Sequence, residues 1–275
     1  MASKVTIPQL QQMKRDGKKI VGAVVWDYQM ARIVDGVGVE IMSVGDSVGI
    51  NLWGHPNPLE VTMEQMLTVT QAVRRGTERA LLSCDFPYGP LQEGTDAAVS
   101  AAIRFVKEAG VDMIKLDGAA DYPEAVTALT KAGIPVWAQF GITPQTALQY
   151  GIEYAAMSDA GAIVSADMQE RLVAEAKMLE GAGAALLDFT NSGPLVGPVV
   201  TDAVSIPVIG GFGGGPWLDG RVRMAHAAIG YGAKYLDGQI ETYANVAQTA
   251  HQALTAFSED VRAGRQIKGA PPVKK

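Results

Sequence analysis

The chain has 275 residues, of which 48% are hydrophobic and 31 are glycine, and its net charge is −6. An acidic chain without a basic stripe is not expected to bind nucleic acid. The single cysteine, Cys84, excludes an intrachain disulfide framework and is typical of a reducing compartment. Because no apolar stretch reaches the roughly 20 residues of a membrane helix and no signal-type core opens the chain, we expect a cytoplasmic protein without membrane contact.

Apolar runs of strand length alternate with segments of helical periodicity along the chain. In chain order these patterns predict a strand at 21–26, a helix at 28–37, a strand at 41–45, a helix at 62–75, a strand at 80–84, a helix at 95–108, a strand at 112–116, a helix at 122–132, a strand at 134–139, a helix at 167–181, a strand at 184–189, a helix at 195–203, a strand at 206–210, an eighth strand near 222–229 and a terminal helix at 239–261.

This alternation predicts a parallel sheet covered by helices. Seven or eight units favour a closed (β/α)8 TIM barrel, formed as a single domain by residues 1–263, over an open doubly wound sheet. A dinucleotide-binding sheet would carry G-x-G-x-x-G after its first strand, where this chain has Asp27-Tyr28-Gln29. Residues 264–275 contain two prolines and two terminal lysines and are predicted to form a flexible tail.

Three of the predicted strands lead directly to an aspartate, namely Asp46, Asp85 and Asp117. Because chemistry in a barrel sits at the carboxyl ends of the strands, these carboxylates are expected to converge. Three of them in one place suit a hard divalent cation with oxygen ligands. For any one of them, a turn or helix-cap role is an equally good explanation.

The other predicted strands also end in polar groups that would lie at the same rim. Lys115 and Asp117 share one face of a strand end, where an ammonium group and a metal ion could hold the same anionic ligand. The candidate site residues beside the three aspartates are Tyr28, Ser47, Lys115, Gln139, Asp188 and Thr190.

Several segments carry a more specific pattern. They are Val44-Gly45-Asp46-Ser47-Val48-Gly49, Gly54-His55, Val73-Arg74-Arg75-Gly76, Ile114-Lys115-Leu116-Asp117-Gly118 and Gly141-Ile142-Thr143-Pro144-Gln145. In this order, and from about residue 7 to about residue 262, the chain resembles the ketopantoate hydroxymethyltransferase family of the phosphoenolpyruvate mutase and isocitrate lyase superfamily.

The resemblance implies roles for individual residues. Asp46 and Asp85 match carboxylates that hold Mg²⁺, and Asp117 stands where the family has a glutamate near the metal. Ser47 matches the group that binds the carboxylate of a 2-oxo acid, and Lys115 matches the lysine on the substrate oxygens. The ion would then act as a Lewis acid that stabilises an enolate. The family also implies a homo-oligomer.

Two site positions depart from the family pattern. Gln139 replaces a histidine, and glutamine can donate a hydrogen bond but cannot titrate. Thr190 aligns with a glutamate that serves the family as the base. Asp188 lies two residues earlier, on the same face of the strand, and could substitute as the catalytic base. The segments 150–165 and 210–215 differ from the family pattern as well.

These departures argue against a plain ketopantoate synthase. We expect a Mg²⁺-dependent enzyme that forms or cleaves a C–C bond of a 2-oxo acid through a metal-bound enolate, as a hydroxymethyltransferase or aldolase does. Formaldehyde and methylenetetrahydrofolate both stay open as the one-carbon donor. One alternative is a lyase or hydrolase of a 2-oxo diacid, anchored by an arginine from Arg74, Arg75, Arg221 and Arg223. Another is a non-catalytic paralogue that binds a 2-oxo acid, which the retained carboxylates and lysine disfavour.

Overall fold

Eight parallel strands close into a barrel in sequential order. The computed structural model describes residues 3–237 and 241–271. The predicted (β/α)8 fold is therefore confirmed. The strands are β1 (Ile20–Val24), β2 (Ile41–Val44), β3 (Leu81–Asp85), β4 (Met113–Leu116), β5 (Val136–Gln139), β6 (Leu186–Asp188), β7 (Val208–Gly210) and β8 (Gly220–Met224).

Ten α-helices accompany these strands in the described part of the chain, and three of them, at 7–15, 48–52 and 225–228, were not predicted. The last of the three lies in the segment 222–229, which was predicted as the eighth strand. None of the described helices combines the length and apolar character required to cross a bilayer. The helices are α1 (Ile7–Arg15), α2 (Tyr28–Val37), α3 (Val48–Leu52), α4 (Met63–Gly76), α5 (Thr95–Arg104), α6 (Pro123–Lys131), α7 (Gln169–Gly181), α8 (Gly193–Ala203), α9 (Ala225–Ala228) and α10 (Val246–Arg262).

The chain divides into two compact units, Met1–Arg223 and Met224–Lys275. The second unit contains α9 and α10, and the Asn245 side chain caps α10 by accepting a hydrogen bond from the Gln248 N–H at 3.0 Å. The predicted terminal helix starts later than expected, and its first two predicted residues, 239 and 240, lie outside the described residues. The single domain ending at residue 263 and the flexible tail stay predictions.

The interior of the barrel is apolar at one end and polar at the other. At the amino-terminal end, side chains from the strands pack with Leu10 of α1 in one buried cluster. Two residues further along five of the strands, β2 to β6, alternation brings polar side chains to the same interior face. The apolar cluster contains Ile41, Leu81, Met113, Trp137, Leu186 and Ile209, and the polar positions above it are Ser43, Ser83, Lys115, Gln139 and Asp188.

The seam between β8 and β1 requires a glycine. A Cβ on Gly220 would lie 2.2 Å from the carbonyl oxygen of Ile20. The neighbouring Asp219 carbonyl accepts a hydrogen bond from the Ile20 N–H at 2.9 Å, so the two backbones are held together at this point. Because the atom in the way belongs to the backbone, it cannot move aside as a flexible side chain would.

Replacing Gly220 with alanine is expected to destabilise the barrel by about 1–3 kcal/mol through overpacking at the seam. The unfolding temperatures of the wild type and of the Gly220→Ala variant measure the effect. The matched control is Gly36→Ala in α2, where a Cβ would meet no atom within 4 Å. There the better helix propensity of alanine should raise stability by up to roughly 1 kcal/mol. Equal unfolding temperatures for Gly220→Ala and wild type would contradict the close approach.

Candidate active site

Three carboxylates converge at the carboxyl ends of β2, β3 and β4. Asp46 and Asp117 follow their strands directly and are 6% and 7% exposed, and Asp85 is the last residue of β3. Burial raises the pKa of Asp46 to about 8, and the negative charges of Asp85 and Asp117 add to the effect. The three side chains therefore lie close enough to repel one another, as their positions after the strands predicted.

A loop after β5 holds two of these carboxylates in place. Gln145 donates its side-chain amide to Asp46 Oδ2 at 2.8 Å and its backbone N–H to Asp117 Oδ2 at 3.2 Å. Thr143 donates its hydroxyl to the other oxygen of Asp117. Burial raises the pKa of Asp117 to about 6 despite these hydrogen bonds. Neither Thr143 nor Gln145 was singled out as a site residue, although both belong to a segment that carries the family resemblance.

The Lys115 ammonium group lies at the centre of the site. Its Nζ atom is 2.7 Å from Gln139 Oε1, 3.3 Å from Asp188 Oδ2 and 3.4 Å from Asp85 Oδ2. It also lies 5.6 Å from the centroid of the Trp137 ring. Burial alone would lower the pKa of Lys115, but the surrounding carboxylates outweigh it and raise that pKa above its usual range. The group is therefore a fixed positive charge.

Gln139 and Thr190, the two departures from the family pattern, are hydrogen-bonded to each other. Gln139 Nε2 donates to Thr190 Oγ1 at 3.2 Å, and Thr190 Oγ1 donates to Asp188 Oδ1 at 2.8 Å. Because Lys115 contacts both Gln139 and Asp188, the four side chains form a closed loop, called here the Lys115 ring. Burial raises the pKa of Asp188, although the charge of Lys115 opposes the change. Asp188 is the one member of the ring that can accept a proton.

The two remaining predicted site residues lie at the rim outside the Lys115 ring. Ser47 is half-buried and directly precedes α3. A Cβ on Gly45 would approach its hydroxyl oxygen to 2.8 Å, so the glycine makes room for that hydroxyl. Tyr28 begins α2 and is 43% exposed. The structure thus places Ser47 beside Asp46 and leaves Tyr28 at the edge of the site.

Cys84 points away from the site, as strand alternation predicted. It is fully buried, and its sulfur lies 3.2 Å from the Thr70 hydroxyl on α4, outside the barrel. Burial raises the pKa of the Cys84 thiol well above its usual range. A buried, protonated thiol on the outer face of β3 is not a nucleophile for this site.

The four arginines considered as anchors for a diacid lie away from the Lys115 ring. Arg74 pairs with Asp112 at 3.4 Å, at the amino-terminal end of β4, and Arg75 is exposed on α4. Arg221 and Arg223 occupy the exposed positions of β8, on its outward face. None of the four arginines is therefore in contact with the Lys115 ring. This disfavours a substrate whose second carboxylate would be bound by one of them.

The donor set at this end of the barrel fits one Mg²⁺ ion held by two carboxylates. Within residues 3–237 and 241–271, no three His, Cys, Asp or Glu side chains form a ready-made metal cluster. Mg²⁺ is commonly bound by one or two carboxylates, with water and substrate supplying the other oxygens. Asp46 and Asp85 are buried carboxylates with raised pKa values, and a cation would relieve their repulsion. Binding of the ion by Asp46, Asp85 and Asp117 stays a prediction.

Buried carboxylates around a fixed ammonium group lie at the carboxyl ends of the strands, where barrel enzymes carry their active sites. The ketopantoate hydroxymethyltransferase profile matches residues 4–266, and the chain belongs to this family. The 3-methyl-2-oxobutanoate hydroxymethyltransferase of Cyanothece sp. is 40% identical to it over 94% of this chain and 96% of that protein. The enzyme of the same name from Cytophaga hutchinsonii is 35% identical to it over 94% of this chain and 93% of that protein.

Solved structures of the same fold have low sequence identity. Phosphonopyruvate hydrolase in complex with oxalate and Mg²⁺ has a TM-score of 0.61 at 13% identity and covers 98% of this chain and 92% of its own. The 2,3-dimethylmalate lyase, a member of the PEP mutase/isocitrate lyase superfamily, has a TM-score of 0.61 at 14% identity. The match covers 97% of this chain and 92% of that protein. At these identities the similarity shows the fold alone.

The hydrogen bond between Gln139 and Thr190 predicts non-additive stability effects. Thr190→Val keeps the shape of the side chain but leaves buried partners unsatisfied, which should cost about 1–3 kcal/mol. The double variant Gln139→Leu/Thr190→Val should lose less than the sum of the single variants, with a coupling of about 0.5–3 kcal/mol. Denaturant unfolding measures all three.

The control is Thr68→Val on the exposed face of α4, where the change should stay within about 0.5 kcal/mol. Strict additivity of the two site substitutions would show that Gln139 and Thr190 do not share a hydrogen bond.

Proposed function

We propose that this chain is an enzyme that forms or cleaves a C–C bond at carbon 3 of a 2-oxo acid through an enolate, with hydroxymethyl transfer as the preferred reaction. The observation that carries the proposal is the Lys115 ammonium, fixed between Asp85 and Asp188 beside the Asp46 carboxylate. The names of the relatives, 3-methyl-2-oxobutanoate hydroxymethyltransferases, support a 2-oxo acid as the substrate and a one-carbon unit as the group transferred.

The substrate oxygens would lie between Lys115 and the carboxylate pair. A fixed ammonium group in a site closed to water stabilises the negative charge that develops on the keto oxygen as the enolate forms. Mg²⁺ on Asp46 and Asp85 would supply Lewis-acid chemistry that acidifies the C–H bond next to the keto group. Ser47, beside Asp46 at the start of α3, would bind the substrate carboxylate.

Asp188 is the proposed base that removes the proton from carbon 3. It is 1% exposed, and burial raises its pKa, which makes it a stronger base than an ordinary carboxylate. Thr190 holds one of its oxygens and Lys115 lies near the other. Gln139 and Thr190 cannot take over this role, because neither side chain titrates near neutral pH.

Two observations weigh against the alternative functions. A lyase or hydrolase of 2-oxo diacids needs a further cationic anchor, and the four candidate arginines lie elsewhere on the barrel. A non-catalytic binding paralogue would not need a buried base hydrogen-bonded on one side and ion-paired on the other. Formaldehyde and methylenetetrahydrofolate both remain candidates for the one-carbon donor.

Exchange of the carbon 3 proton in D₂O tests the enolate step without any second reactant. With Mg²⁺ and 3-methyl-2-oxobutanoate, the wild type should exchange this proton, followed by ¹H NMR. Asp188→Asn should lower the rate by roughly 10²–10⁴-fold, because the base is lost. Asp96→Asn, the same substitution at an exposed position of α5, is the control and should exchange normally. A wild type that exchanges none of a panel of 2-oxo acids would contradict the proposal.

Asp46→Asn should raise the stability of the metal-free protein and at the same time weaken its binding of Mg²⁺. Removing one of the repelling buried carboxylates should raise the unfolding temperature of the metal-free protein by on the order of 3 °C. The same variant should lose most of the Mg²⁺-induced increase in unfolding temperature that the wild type shows. Asp96→Asn should behave as wild type in both measurements. An undiminished Mg²⁺ response in Asp46→Asn would rule out Asp46 as a ligand.

A further inference from the structure

The interior wall of the barrel is apolar where β8 and β1 meet. Val24 ends β1 and is half-buried, and Val222 lies in the middle of β8 and is 8% exposed. Val222 belongs to the buried apolar cluster of the interior, and Val24 packs against that cluster. A Cβ on Gly22 would lie 3.2 Å from Val222 Cβ, so Val222 faces the inner side of β1, from which Val24 also projects. The apolar lining therefore continues along β8 and β1 to the mouth of the barrel.

Val24 lies beside the oxygen atoms that would bind the substrate. Gly45 directly precedes Asp46 in the chain. A Cβ on this glycine would lie 2.8 Å from Val24 Cγ1, 2.8 Å from Ser47 Oγ and 3.7 Å from Asp85 Oδ2. The glycine thus lets a methyl group, a hydroxyl and a carboxylate approach one point of the mouth. Because Val24 ends its strand and is only half-buried, its methyl groups border the opening as well as the closed core.

Val222 lies on the side of the interior that carries the proposed base. A Cβ on Gly211 would lie 3.7 Å from Val222 Cγ1 and 3.9 Å from Thr190 Oγ1, which are ordinary contact distances. Thr190 in turn donates its hydroxyl hydrogen to Asp188. Gly211 is therefore flanked by Val222 on one side and by the residue that orients Asp188 on the other. Val222 is an apolar neighbour of the strand end that carries the base.

The substrate proposed above has two chemically different parts. Its carboxylate and keto oxygens need charged and polar partners, which the ends of β2 to β6 supply. The alkyl group on carbon 3 makes no hydrogen bond and gains free energy when it leaves water for an apolar surface. Carbon 3 also carries the proton that Asp188 of β6 would remove. With the oxygens on one side and this proton directed at β6, the apolar arc of β8 and β1 is left for the alkyl group.

We propose that Val24 and Val222 form the subsite for the alkyl group of the 2-oxo acid and set the size of the group that the site accepts. The inference rests on the proposed function. The two side chains determine specificity and take no part in proton transfer. One methylene group in an apolar pocket changes kcat/KM by about 10- to 200-fold. Adding or removing carbon atoms at either valine should therefore change which acid is preferred.

Three acids, each one carbon larger than the one before, test this role: 2-oxobutanoate, 3-methyl-2-oxobutanoate and 3-methyl-2-oxopentanoate. Exchange of the carbon 3 proton in D₂O is followed by ¹H NMR with the Mg²⁺-loaded protein, and kcat/KM is obtained for each acid. In Val24→Ala and in Val222→Ala, the ratio of the largest acid to the middle one should rise by roughly tenfold or more. Val24→Ile, which keeps the core filled, should lower the ratio of the middle acid to the smallest by a similar factor.

Val21→Ala is the matched control, because Val21 lies on the outward face of the same strand and is 51% exposed. It should leave both ratios as in the wild type. Ratios between acids separate specificity from stability, since a loss of folded protein lowers all three rates by the same factor.

The outcomes distinguish the inference from the function on which it rests. If both alanine variants keep the wild-type ratios, the valines do not contact the alkyl group and the inference is wrong. A shift of equal size in Val21→Ala would lead to the same conclusion. A shift in only one alanine variant would assign the subsite to that valine and overturn the role of the other. A wild type that exchanges none of the three acids overturns the proposed function itself.

Discussion

The arrangement of the site depends on keeping one ammonium group charged inside a barrel. Burying an isolated ion costs several kcal/mol, and this cost is offset only when good partners surround it. Lys115 of β4 finds its partners on three other strands, with Asp85 on β3, Gln139 on β5 and Asp188 on β6. The charge therefore ties four strand ends together, and the positions of Asp85, Gln139 and Asp188 follow from this single requirement.

The two departures from the family pattern are one structural change. Gln139 and Thr190 satisfy each other, so replacing either alone would leave a polar group unpaired in a buried environment. In place of a histidine and a glutamate, which both titrate, the chain has a neutral pair that orients Asp188. Asp188 lies two residues back along β6, and Thr190 of this pair and Lys115 hold its carboxylate in place.

Much of this arrangement could be predicted from the sequence, because the apolar runs locate the strands and the residues after them locate the rim. Asp46, Asp85 and Lys115 were predicted in this way. The eighth strand was placed too late, because the exposed Arg221 and Arg223 break the apolar run expected of a buried parallel strand. The loop after β5 consists of short 3-10 turns without periodicity, so nothing in its sequence indicates which side chains return to the site.

The barrel mouth is chemically uneven, because its polar side chains come from only some of the strands. The ends of β2 to β6 contribute the carboxylates, the amide and the ammonium group, whereas β7 ends in glycine. A Cβ on Gly210 would lie 2.5 Å from the Phe189 carbonyl oxygen, so close packing against β6 excludes a side chain there. The glycine end of β7 is followed by the loop that carries Phe212, whose ring packs edge to face against Tyr154 of the loop after β5. The polar side chains are therefore confined to one arc of the mouth, and the loops after β5 and β7 are held to each other by aromatic contact.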